Sequence, residues 1–291
     1  MKRRLAAGTA VSAGLVLSLT GCLGSGGGDD KAGGGKAVVL AAAAVRDTSA
    51  KTAQVQSVKG EIQTEVTAPG TSDAVTMHMR MAAKLRPEPA FRIDIDSMNM
   101  GGKSMPGQAS GMEMVLVGHD IFMKSPMFAQ LTHGKPWVRL STADLGSAVG
   151  QNFDKLLQQQ KQSDPTQQVD QLTASKDVHE VGKETVNGVQ TTHYQGTVSV
   201  QEMLAKLPEA QRQSRQESFQ KLGVQSMAFD LWVDGQKLPA KIVMRTPDDA
   251  STKMNTTVTY TGWNTPVAVT APPASQVGKM PKLLTQGAPG D

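Results

Sequence analysis

Three methionines stand on alternate positions in TMHMRMAAKL, residues 76 to 85, with His78 and Arg80 between Met77, Met79 and Met81. Thioether sulfur is a soft ligand suited to Cu(I), and imidazole is a common metal donor, so one chemistry open to this stretch is copper or silver handling. The same residues also suit an apolar surface, because methionine is unbranched, flexible and polarizable. The Met-x-Met spacing recurs at Met98 and Met100 and at Met112 and Met114, in a chain with 16 Met against 6 Phe, 3 Trp and 2 Tyr. On a strand, successive side chains point to opposite faces, so Met77, Met79 and Met81 share one face and His78 takes the other. A copper site would then need ligands from a second strand, whereas an apolar face needs only a cover.

Other candidate chemistry is thin. The five histidines, His78, His119, His133, His179 and His193, show no His-x-x-x-His or Cys/His metal spacing, and each is expected on the surface or in a turn. Ser218-Phe219-Gln220-Lys221 has the Ser-x-x-Lys spacing of penicillin-recognising serine enzymes, but no Ser-Asp-Asn or Lys-Thr-Gly follows it. Asp94 and Asp96 fall two apart on one strand face and read as a solvated pair rather than an acid/base couple. The chain is therefore expected to have no catalytic residue, no metal site and no cofactor, and not to be an enzyme.

The N-terminus supplies the clearest location signal. Lys2, Arg3 and Arg4 precede an uncharged run from Leu5 to Leu19, shorter than the roughly 20 residues of a membrane-crossing helix. Leu19-Thr20-Gly21-Cys22 then matches a bacterial lipobox, and Cys22 is the only cysteine of the 291 residues. The expectation is a signal peptide over 1–21 and an acyl anchor on Cys22, which holds the protein on the outer face of the cytoplasmic membrane. Each buried methylene adds roughly 0.8 kcal/mol to such anchoring. Residues 23 to 36, LGSGGGDDKAGGGK, read as a flexible linker spanning about 20 Å.

The net charge of +4 includes the three basic residues of the signal segment, so the remainder is close to neutral. Nothing in it resembles the large basic cluster that would release counterions from a phosphate backbone, and nucleic acid is set aside as a partner. Residues 37–270 read as a single domain. The Pro- and Gly-rich stretch 271–291 reads as a disordered tail. Oligomeric state is left open by the sequence.

An Ala-rich helix is expected over 37 to 55, and alternation predicts strands at 57–67, 74–86, 90–97, 112–118, 120–125, 177–186, 189–198, 225–234, 237–246 and 253–262. Asn187-Gly188 between two alternating runs predicts a two-residue hairpin. Two helical insertions interrupt the strands, at 142–174 and 199–223. In the second, Ser199 and Glu202 have capping-box spacing, Pro208 can start a further helix and Gly223 can end it.

Sorting the strands by face collects Met77, Met79 and Met81 with Phe91, Ile93 and Ile95, then Met112, Met114 and Leu116. The later strands add Met227, Phe229, Leu231, Ile242 and Met244. These are the candidate ligand-lining residues, and an ordinary packed core explains the same alternation.

LVGHDIFMKSP with PWVRL, then DVHEVGKETVNGVQTTHYQGTVSV, then LWVDGQKLPAKIVMRTP resemble successive segments of the LppX/LprG-type bacterial lipoproteins of the LolA-like superfamily. The resemblance implies an α+β fold: a strongly curved antiparallel half-barrel whose apolar concave face is covered by helices and holds acyl chains of a lipid or lipoglycan. It also allows a second role, since some domains of this fold bind an envelope protein partner instead.

Overall fold

The computed structural model describes residues 31–71, 73–104, 111–140 and 167–279. The signal segment, Cys22 and residues 142 to 166 of the first helical insertion lie outside them.

The chain opens with helix α1 (Lys31–Thr52), whose Ala41, Val45, Thr48 and Thr52 are buried. Its start at Lys31 corrects the expected linker, since residues 31 to 36 continue the helix. Elongating a helix already anchored by packing is far easier than nucleating one, even through glycines that cost about 1 kcal/mol each.

A first run of strands follows: β1 (Ser57–Thr67), β2 (Ala74–Lys84), β3 (Ala90–Met100), the short β4 (Lys103–Ser104), β5 (Met112–Val117), β6 (Asp120–Lys124) and β7 (Trp137–Leu140). Helix α2 (Pro126–Leu131) lies between β6 and β7. Helix α3 (Gln167–Leu172) precedes a second run: β8 (His179–Val186), β9 (Val189–Ser199), β10 (Ser226–Asp234), β11 (Pro239–Arg245) and β12 (Lys253–Trp263). Helices α4 (Val200–Ala205) and α5 (Glu209–Leu222) are inserted between β9 and β10, and β13 (Val277–Lys279) ends the described chain.

All of these strands join one open sheet in the order β13-β7-β6-β5-β3-β2-β1-β12-β11-β10-β9-β8, with β4 paired to β3 alone. Every pairing is antiparallel except β13 with β7. The two runs are meanders of neighbouring strands, and among the described residues they meet at the seam where β1 pairs with β12. Register shifts at Lys59/Gly60, His78/Met79, Trp232/Val233 and Glu180/Gly182 add local twist and bend to this curved α+β sheet.

Local chemistry sets the expected boundaries. Asn187 and Gly188 take φ of 49° and 79°, as the two-residue hairpin requires. The Ser199 hydroxyl accepts from the Glu202 N–H to start α4, while Gly223 at φ 65° closes α5.

The main core lies on the concave face. Phe229, Leu231 and Ile242 are completely buried there beneath Val169 and Leu172 of α3 and Met203 and Leu204 of α4. A smaller core sits on the convex face at the other end, where Val115, Phe122 and Trp137 are covered by Val269 and Val277. That contact corrects the expected tail, because the chain stays packed against the sheet through β13 although Pro-rich composition suggested disorder. It also explains why β7 was not anticipated: Trp137 and Val138 are both buried, on opposite faces, so its four residues show no alternation.

Candidate functional site

The register places all fourteen candidate residues on one face. One cross-strand row runs Met112, Ile95, Met79, Ile62, Val258, Ile242 and Leu231, and a second runs Met114, Ile93 and Met81 to Gly60 and Tyr260. Met77 aligns through Thr64 and Thr256 with Met244 and Phe229, while Phe91 pairs with Leu116. Met227 lies one step further along β10 on the same face.

Burial then divides the set. Phe229, Leu231, Ile242 and Leu116 are solid core at 0% exposure, and Met227 is nearly so at 1%. Met77, Met79, Ile93, Ile95, Met112 and Met114 are only half-buried. Met81, Met227 and Met244 line a cavity of about 430 Å³ between the sheet and the helices.

The floor of that cavity continues across β1 and β12 through Ile62, Met254, Thr256, Val258 and Tyr260. Burial pushes the Tyr260 phenol above its ordinary pKa, so it stays neutral through the physiological range. Gly60 faces the same floor, and a Cβ there would meet the Thr259 carbonyl oxygen at 2.8 Å and Met81 Cε at 3.3 Å. The bulge thus brings strand backbones together at the point where the cavity begins.

The roof comes from α4, the turn after it, and α5. Met203, Leu204 and Leu207 descend from α4 and the turn after it. From α5, Gln211, Arg215 and Phe219 share one face at four-residue spacing. Gln167, Gln168 and Gln171 of α3 complete the rim, with the Gln168 amide donating to Met244 Sδ at 3.5 Å. Gln211 is 8% exposed, and its Nε2 has no hydrogen-bond partner among the described residues. A buried donor left unmet costs roughly 1 to 3 kcal/mol. A second, more open cavity of about 660 Å³ lies on the far side of the α4–α5 pair and shares Leu204 and Phe219 with the first. With space on both sides, α5 is held to the core through Phe219 and Leu222.

The strand signal found Met81, Met227 and Met244 but missed the roof and rim. Alternation on β12 could have added Met254, Val258 and Tyr260, whereas no periodic signal marks Gln211 as buried.

Polar clusters occupy the convex face. Arg80 makes a forked contact with Asp96, Nε to Oδ2 at 2.8 Å and Nη2 to Oδ1 at 2.6 Å, and His78 Nδ1 lies 3.1 Å from Oδ2. Hydrogen bonding from Arg80 holds the Asp96 carboxyl below its ordinary range. Asp94 pairs with Arg92, so the two aspartates are separately neutralised rather than coupled. His78 and Met77 project to opposite faces of β2, which leaves the Met-x-Met row without its interleaved histidine.

His193 overturns its expected surface position. It is buried at 8% exposure and stacked on Trp232 at 4.3 Å, with Nδ1 2.8 Å from Glu184 Oε1 and Nε2 2.8 Å from Asp230 Oδ1. Arg245 approaches Asp230 Oδ2 at 2.5 Å. Both imidazole nitrogens are engaged by carboxylates, so the cluster ties β8, β9, β10 and β11 together. Ser218, of the Ser-x-x-Lys spacing, is exposed on α5 and donates to the Ser214 carbonyl at 2.9 Å.

A family of unknown function, DUF6612, matches residues 41–273. An uncharacterised 31.2 kDa protein of Streptomyces griseus, from the rplA-rplJ intergenic region, is 36% identical over 159 residues, 54% of this chain and 52% of that one. A Streptomyces coelicolor protein named provisionally as a lipoprotein is 27% identical over 160 residues, 54% of this chain and 47% of that one. The chain spans about half the length of the curated relatives it matches.

Among solved structures, LprF from Mycobacterium bovis has a TM-score of 0.47 at 15% identity, covering 80% of this chain and 97% of that chain. The Mycobacterium tuberculosis lipoprotein LppX has a TM-score of 0.44 at 14% identity, covering 80% and 99%. LppX is of the lipoprotein group that the sequence resembles.

Proposed function

We propose that this chain, which belongs to the DUF6612 family of unknown function, is an exported lipoprotein that holds acyl chains of a lipid or lipoglycan between its sheet and its helices. The observation that carries the reading is the cavity of about 430 Å³, floored by Met81, Met227, Met244 and Met254 and roofed by α4 and α5. That volume falls within the roughly 300 to 1,000 Å³ usual for small-molecule sites. Burying apolar surface there gives about 25 cal/mol per Å² with little directional demand, and flexible thioethers can repack around chains of different length.

Cys22 is the proposed anchor, with the Gly-rich residues after it as the tether on the outer face of the membrane. Helices α4 and α5 are the proposed lid, because they supply the roof over the methionine floor. No catalytic step is assigned to the protein.

The test is native mass spectrometry of the chain purified from a bacterial host in mild buffer, followed by solvent extraction. Co-purifying lipid near one per chain is the expected result, with loss of that lipid in Met81→Lys at an unchanged melting temperature. A chain that is empty and also refuses added lipid would overturn the reading and turn attention to envelope protein partners.

A further inference from the structure

The cavity wall is not uniformly apolar. Gln211 is more than nine-tenths buried in it, with an unpartnered Nε2, and Arg215 stands one turn further along the same face of α5. No carboxylate lies among the described residues lining the cavity, so its one charged group is a cation at the exposed end of the wall. A donor deep in the wall and a positive charge nearer solvent form a polar track beside an apolar floor.

We infer that the ligand is an anionic acyl lipid, with a carbonyl or acid oxygen accepting a hydrogen bond from Gln211 Nε2 and its negative charge beside Arg215. This rests on the cavity being the ligand site. A site built around a buried donor discriminates strongly against analogues that leave the donor unmet, which an apolar wall alone does weakly. Gln211 thus selects for an acceptor, and Arg215 for the charge.

The experiment uses the full chain with Cys22→Ser, so that no attached acyl chain competes, and follows displacement of the neutral apolar probe N-phenyl-1-naphthylamine. Palmitate, methyl palmitate and hexadecane provide an anion with an acceptor, an acceptor alone, and neither. Palmitate is expected to bind most tightly and hexadecane least. Gln211→Leu should weaken palmitate and methyl palmitate about tenfold while leaving hexadecane within about twofold, on the scale of one hydrogen bond. Arg215→Gln should weaken palmitate alone. If Gln211→Leu folds poorly, Gln211→Met keeps the length of the side chain without the donor and should weaken both oxygen-bearing ligands while sparing hexadecane. Equal changes for all three ligands, or none, would overturn the inference and leave the apolar cavity standing. Failure of the wild-type chain to bind probe or hydrocarbon would remove the cavity reading and this one together.

Discussion

The two limbs of the concave face, β2-β3-β5 on one side of the seam and β9-β10-β11 on the other, have the same alternating pattern and different physical roles. On the second limb Phe229, Leu231 and Ile242 are wholly buried under α3 and α4. On the first, Met79, Ile95 and Met112 occupy the same row as Leu231 and Ile242 but are only half-buried. Alternation therefore reports which face a residue occupies, and the elements laid over that face decide whether it carries stability. Arg80, Arg92, Asp94 and Asp96 solvate the back of the first limb, whereas the second has the buried His193 and Asp230 behind it.

The strongest challenge to this division is a charge placed in each limb. Leu231→Asp should abolish folding, since an unpaired carboxylate would stand in a site with 0% exposure; Met79→Asp should leave a cooperative thermal transition. Smaller cuts sharpen the contrast. Phe229→Ala is expected to cost about 3 to 5 kcal/mol in urea unfolding, and Met79→Ala about 1 kcal/mol, because less area leaves water at a half-buried position. Equal costs would mean that the first limb is as well packed as the second.

Within the covered limb, Ser199→Ala should remove the α4 cap for about 1 kcal/mol and raise amide exchange in α4 before it does so in β10. The smallest effect concerns the convex brace. Hydrogen bonds from Trp232 and His193 hold the Glu184 carboxyl below its ordinary pKa. Its contribution is therefore present above the unfolded carboxylate pKa and is lost as pH falls through the lower folded value. Melting temperatures of wild type and Glu184→Gln should differ near neutrality and converge in acid.

Most strands were legible because alternation, Asn187-Gly188 and the Ser199 and Gly223 caps all act within a few residues of chain. The fourteen-residue face was legible for the same reason, though only Met81, Met227 and Met244 of that set line the cavity. What escaped depends on distant partners. His193 looked solvent-facing because Asp230, which buries it from the next strand, is 37 residues away. Val269 and Val277 lie in a Pro-rich stretch whose order comes from Trp137 and Phe122. Gln211 sits in a glutamine-rich helix, where no local pattern sets it apart from its exposed neighbours.

The seam between β1 and β12 has a consequence for how the molecule is assembled in time. Each meander can zip from neighbouring hairpins, but Thr64 must find Thr256 across 192 residues. Loop-closure entropy rises only logarithmically with that length, yet such non-local pairing slows folding. Until β12 has emerged, both meanders display an unsatisfied strand edge beside apolar residues, so the interval before they join is when the chain is most open to aggregation or to capture by a chaperone.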